Sequence, residues 1–231
     1  MPRLDEALPL IRAAAVGPDG VPADRFDGLE PFAAMVAALL ARQVGSSVWR
    51  PALEALGEQG FLDPARLDDA GMPELQDAIR GKVRSLSVRT LAPAKQLARW
   101  LVDRYDGRAE ALIESGKSSE ELREDLSGVR GVGLVGADAI LLAALKRPTY
   151  AVDRGTYRIL VRHGWLDTSA TYDEARDLLV HHAGSDPTLL MDLSAGMEEL
   201  AARFCRASAP RCDACPLRSM LPEGGPLGTE E

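Results

Sequence analysis

The chain has 231 residues, 46% of them hydrophobic and 5% aromatic, enough to bury a core in one domain or two small ones. No apolar run approaches the ~20 residues that span a bilayer, and the opening MPRLDEALPL carries acids and lacks the long apolar centre of a signal peptide. A cytoplasmic protein is therefore expected, without a membrane partner. The three cysteines all fall within eleven residues, which excludes the spread-out framework of a disulfide-stapled secreted domain. The net charge of −8 argues against a polyanion as partner until its distribution is considered. Ile79 to Arg99 holds six bases and no acid. Ser127 to Trp165 holds six bases and two acids, which leaves 15 bases against 33 acids elsewhere. Such segregation can put a basic face on an acidic body, the footprint of nucleic-acid binding; solvated arginines scattered over several faces would read the same way.

In chain order, Leu4 to Ala15 reads as a short helix, followed by a Gly/Pro loop from Val16 to Pro22. Pro31 to Gln43, PFAAMVAALLARQ, is a helix apolar all round with proline in its first turn, so a buried one. Trp49 on the next helix reads as a packing anchor. Arg50 to Leu56, Asp63 to Ala70 and Pro73 to Arg80 are short helices, and Leu91 to Tyr105 is an amphipathic one with Trp100 in the core. Asp106-Gly107 and Ser115-Gly116 break the chain. Ser118 to Leu126 opens with a polar cap followed by acids.

The chain is organised around Gly131 to Asp153, GVGLVGADAILLAALKRPTYAVD. Two glycines around Val132 allow bare backbone amides at a helix start, where a phosphate can bind. Gly136 to Leu145 is apolar except for Asp138, hence buried. Pro148 ends that helix and sets the approach to Asp153, which is a helix cap, a catalytic acid or both. Helices follow at Arg154 to His163, Tyr172 to Val180 and Pro187 to Phe204. His181 and His182, adjacent on a helix, diverge by ~100° and read as surface residues. The chain closes on Cys205-x6-Cys212-x2-Cys215 and a Gly-rich acidic tail.

Gly131-Val132-Gly133, Ala137, Pro148-Thr149 and Ala151-Val152-Asp153 together resemble the helix-hairpin-helix DNA glycosylases, the superfamily of endonuclease III, over residues 28 to 221. The resemblance implies an all-α fold of two domains: a helical bundle with the hairpin over residues 30–145, and a discontinuous domain of residues 1–29 plus 146–221 carrying the cysteine loop. A disordered tail over 222–231 completes the expected organisation. It implies double-stranded DNA with a damaged or mismatched base as partner, bound by a monomer and gripped at its phosphates by Arg130, Gly131, Val132, Gly133, Val135 and Gly136. Gln43 would fill the gap beside the extruded nucleotide. It implies Asp153 as the residue that drives base excision, and a [4Fe–4S] cluster on Cys205, Cys212 and Cys215.

Departures from the pattern refine these expectations. Val135 stands where bifunctional relatives place a lysine, eighteen residues before the aspartate; without that amine no Schiff base forms, and water attack on C1′ remains. Lys146 lies ~16 Å further along and cannot simply substitute. Ala38 stands where adenine-excising relatives carry a glutamate, and Arg130 where proline is common. Val83 to Ser87 replaces the usual glycine-aromatic-tyrosine-asparagine turn. Leu221 occupies the fourth-cysteine position, so the cluster needs another ligand, with Asp213, Ser219, Glu223 or water as candidates. The expected activity is a monofunctional glycosylase. The alternatives are a DNA-binding protein without catalysis on the same fold, a lyase using another amine, and an acidic helical adaptor for proteins.

Overall fold

The computed structural model describes residues 3–15 and 26–228; the loop expected at Val16 to Pro22 and the last three residues lie outside them. Among the described residues the regular structure is all helical. In order the helices are α1 (Leu4–Ala14), α2 (Pro31–Ala41), α3 (Ser46–Glu58), α4 (Pro64–Asp69), α5 (Met72–Arg80), α6 (Ala92–Tyr105), α7 (Glu110–Glu114), α8 (Ser119–Ser127), α9 (Gly133–Ala143), α10 (Arg154–Arg162), α11 (Tyr172–Ala183) and α12 (Pro187–Arg203). None is long and apolar enough to cross a membrane. The chain divides into two compact units, one of Phe26–Arg147, the other of Met1–Arg25 with Pro148–Glu231.

In the unit of residues 26–147, α2 is the central rod. Phe32 to Leu40 are all buried, as a helix without a polar stripe must be. It packs on α3, α6 and α9. α9 is its counterpart, with Gly136 to Ala143 buried without interruption. The two come close at Gly136, where a Cβ would lie 3.0 Å from Leu39 Cδ2 and 2.9 Å from Val132 Cγ1; the missing side chain lets the rods touch. Trp49 is buried against Phe26, ring centroids 5.4 Å apart. Trp100 is only half-buried, against the Tyr105 ring at the end of α6: its stripe of the helix lies at the edge of the buried face formed by Leu97, Ala98 and Leu101. α7 goes beyond the sequence reading, because five residues between two glycine breaks are too few to show a period.

α9 also packs on α8. The start of α8 is fixed by a reciprocal cap, in which Ser118 Oγ accepts from the Glu121 amide and the Glu121 carboxylate accepts from the Ser118 amide. Between the helices Arg123 Nε donates to both oxygens of Asp138, at 3.2 and 3.1 Å, with Asp138 fully buried and Arg123 nearly so. This pair explains the one acid in the apolar run of α9: it neutralises a buried guanidinium.

In the other unit α1 lies on α12. A Cβ on Gly196 would sit 1.9 Å from the Ile11 carbonyl oxygen, so the two backbones are in contact there. α10 approaches α12 the same way, a Cβ on Gly155 meeting Ala201 Cβ at 2.7 Å. Asp5 of α1 pairs with His182 of α11, so His182 is a tie between helices, not a bare surface residue. In the stretch 222–228, the Leu227 amide donates to the Arg162 carbonyl at the end of α10 at 3.0 Å.

Candidate functional site: hairpin turn, Asp153 and cysteine pocket

The turn between α8 and α9 is Val129-Arg130-Gly131-Val132. Gly131 has φ +85° and Gly133 φ +61°, left-handed values that L side chains rarely adopt. Val132 is buried and pins the turn from beneath, while Arg130, Gly131, Gly133 and Leu134 are exposed. Gly131 also lies against Pro93 at the start of α6, 3.4 Å from a built Cβ to Cγ. The Val132 amide is taken up by the Val129 carbonyl at 3.0 Å, so what the turn offers an anion is the backbone of the exposed Gly131 and Gly133 beside an exposed guanidinium, with no base-reading group.

Gln43 sits just past α2, not on it, and is exposed. Its Nε2 donates to the Thr90 carbonyl at 3.1 Å and the Leu39 carbonyl at 3.4 Å. The amide thus ties the end of α2 to the short turn Val88–Leu91.

Asp153 is the N-cap of α10. Its Oδ1 accepts from the Thr156 amide at 2.6 Å, and its side chain is half-buried. The carboxylate is therefore held on the positive end of α10.

The far end of α10 meets the cysteine loop. Arg158 Nε donates to the Cys205 carbonyl at 2.7 Å. The buried Arg162 donates to the carbonyls of Arg206 and Ala207, at 2.6 and 3.0 Å, and lies 3.6 Å from Cys205 Sγ. Cys205, Cys212 and Cys215 are unpaired thiols that line one pocket open in part to solvent, together with Phe204, Leu217, Leu221, Arg162 and His163. Burial pushes the Cys215 thiol up from its usual range. The other two thiols add to that, and a hydrogen bond from the Leu217 backbone partly offsets it. Burial pushes the His163 imidazole down, and its contact with the Met220 carbonyl partly offsets that. Among the described residues no three His, Cys, Asp or Glu side chains are gathered as a ready site for a single metal ion.

Known proteins with this layout agree. The chain is 27% identical to an endonuclease III of Thermotoga maritima over 82% of each sequence. It is 28% identical to a thymine/uracil-DNA glycosylase of Pyrobaculum aerophilum, over 81% of this chain and 78% of the relative. The fold matches a non-covalent endonuclease III–DNA complex with a TM-score of 0.69 at 20% identity, covering 97% of each chain. In sequence and in fold the chain is similar to the endonuclease III-like, helix-hairpin-helix DNA glycosylases. No protein-family model matches it.

Val135, which the sequence comparison set against a lysine, is half-buried on α9. Lys146 leaves α9 with φ +52° and pairs with Asp27 at 3.5 Å. Of the fourth-ligand candidates, none lines the cysteine cavity: Asp213 is 95% exposed and pairs with Arg218, and Ser219 and Glu223 are exposed. His163 does line it, although forty-two residues separate it from Cys205 in sequence. Its place at the exit of the helix that begins with Asp153 was the only available signal, and it is too weak to read alone. Arg158 and Arg162, counted among the bases of a DNA face, serve the loop instead.

Proposed function

We propose that the protein is a base excision repair DNA glycosylase of the hydrolytic, monofunctional kind, acting as a monomer on duplex DNA with a damaged or mismatched base. The observation that supports it best is the helix-capping Asp153 in a chain whose α9 carries valine at the lysine position. Arg130 and the backbone of Gly131 to Gly133, with Val135 and Gly136 behind them, hold a phosphate without reading sequence. Gln43 fills space near the extruded nucleotide. The nucleotide must leave the stack before C1′ is reachable. As the C1′–N bond breaks, the base departs with the electron pair and positive charge grows on the sugar, where the Asp153 carboxylate stabilises it. A water attacks C1′ and gives up its proton through the same carboxylate, leaving an abasic site.

The cysteine loop fits the superfamily's [4Fe–4S] cluster. Its donors are soft thiols around one half-open, mainly apolar pocket. A buried guanidinium stands beside Cys205. A lone zinc ion, with Zn–S of about 2.3 Å, would need them drawn tightly together, and no such gathering is present among the described residues. When bound, the cluster ties the C-terminal loop to α10 by metal–thiolate bonds. Cys205, Cys212 and Cys215 would hold it, and Arg158 and Arg162 position the backbone of that loop.

A base-release screen on defined lesion duplexes tests the activity. Release of a base with no strand cleavage and no covalent complex on borohydride trapping is expected. A trapped complex overturns the monofunctional assignment in favour of a lyase with another amine. Salt-sensitive duplex binding with no base released from any lesion overturns the enzyme in favour of a non-catalytic DNA binder.

A further inference from the structure

A [4Fe–4S] cluster on three cysteines leaves one iron without a protein ligand, and the identity of its fourth ligand rests on the cluster being there. Leu221 occupies the fourth-cysteine position and lines the cavity with an apolar side chain. The one further ligand-type side chain on the cavity wall is His163, 4% exposed. It caps the C-terminus of α10, and two contacts hold its ring. Nδ1 lies 3.3 Å from the Met220 carbonyl. A carbonyl only accepts, so that contact puts the proton on Nδ1 and leaves Nε2 with its lone pair bare. Trp165 stacks on the ring, centroids 4.5 Å apart and planes 16° from parallel, which fixes its plane. Met220 lies in the turn Arg218–Met220, part of the same loop that supplies the thiols. Among the described residues Nε2 has no hydrogen-bond partner. An imidazole that donates one N–H to a backbone carbonyl and offers the other nitrogen is the usual arrangement of a ligating histidine. We propose that His163 Nε2 is the fourth ligand of the cluster held by Cys205, Cys212 and Cys215, making this a Cys₃His centre. The substitution of leucine for the fourth cysteine is then compensated from α10, at no loss of ligand count.

The test uses anaerobically purified full-length protein, with iron and acid-labile sulfide quantified and the reduced cluster studied by pulsed electron paramagnetic resonance. A directly coordinated ¹⁴N coupling is expected, replaced by a ¹⁵N pattern when histidine is ¹⁵N-labelled. His163→Cys is expected to keep wild-type iron content and lose the nitrogen coupling, and His163→Ala to lose the coupling and shed iron faster in air. A wild-type cluster with full iron and no coordinated nitrogen overturns the assignment of His163 while leaving the cluster intact. So does a nitrogen coupling that survives in His163→Ala. Protein that folds and binds duplex DNA without iron or sulfide overturns the cluster itself. The labelled wild-type measurement decides the matter even where a variant fails to fold.

Discussion

Asp153 has two jobs assigned to it, capping α10 and excising the base, and two substitutions separate them. The cap is a 2.6 Å bond to the Thr156 amide, itself buried. Asparagine caps as well as aspartate, so Asp153→Asn keeps the bond and removes the charge. Asp153→Ala removes both, at a cost of about 0.5–2 kcal/mol. Bond length and burial place the loss in the upper half of that range, and for a chain of this size each kcal/mol lowers Tm by about 2–4 °C. Asp153→Asn is therefore expected to melt near the wild type, and Asp153→Ala several degrees lower. Both lose the stabilisation of charge at C1′ and the base for water, a combined fall on the order of 10²–10⁴ in single-turnover base release. Duplex affinity is unchanged, because the hairpin does not depend on this cap. Wild-type excision by Asp153→Asn would refute the mechanism and leave Asp153 as a cap alone.

Four further outcomes are tied to particular contacts. Asp138→Ala takes the buried carboxylate away from Arg123, which still faces the exposed Glu120 at 3.6 Å, and is expected to cost about 3 kcal/mol by denaturant melt, most of it recovered in Arg123→Met/Asp138→Leu. Gly196→Ala drives a methyl into the Ile11 carbonyl; a backbone atom cannot rotate away, so about 1–3 kcal/mol or more is lost and α1 becomes sensitive to protease. The Asp5 carboxyl is held below its usual 3.8, chiefly by the hydrogen bond with His182; the stability it lends is full above pH 3.8 and disappears as pH falls through the folded value, so Asp5→Asn lowers Tm at pH 7 and leaves it unchanged near pH 2. In the two basic stretches, the guanidinium groups of five arginines (Arg84, Arg89, Arg130, Arg147 and Arg154) stay outside the ion pairs and side-chain hydrogen bonds found among the described residues, so the salt dependence of duplex binding should have a slope no steeper than about −4 to −5.

The hairpin and the long helices were legible because their signals are local. Two glycines at fixed spacing, an apolar run and a proline exit each act within a few residues, and the structure starts α9 only three residues before the apolar run. The reciprocal cap on Ser118 and Glu121 was legible for the same reason. Asp138 was not: an acid in an apolar run makes sense only beside Arg123, a partner on another helix. Gln43 shows a different limit. Its place after the first buried helix was readable, but its bonds to Thr90 and Leu39 depend on a short turn that no periodicity announces.

Charge counting failed where chemistry was needed. Two stretches holding twelve bases suggested a basic face on an acidic body. Yet Lys82 pairs with Glu54 and Glu58, Lys95 donates to the carbonyls of Leu67 and Asp68 at the end of α4, and Arg99 pairs with Asp68. Arg158 and Arg162 are spent on the cysteine loop. The cause is geometric: a guanidinium or ammonium near a helix C-terminus is drawn to bare carbonyls at least as readily as to a distant phosphate. What remains for DNA is a small set of arginines plus the amides of one glycine turn, and an acidic chain can bind a polyanion on those terms because the amides carry no net charge to be screened. The same helix that gave up two arginines carries Asp153 at its head and His163 at its foot, about 15 Å apart by helical rise. On the proposed mechanism α10 is the element through which the cysteine loop would bear on catalysis: whatever holds its foot fixes the direction in which its head presents the carboxylate.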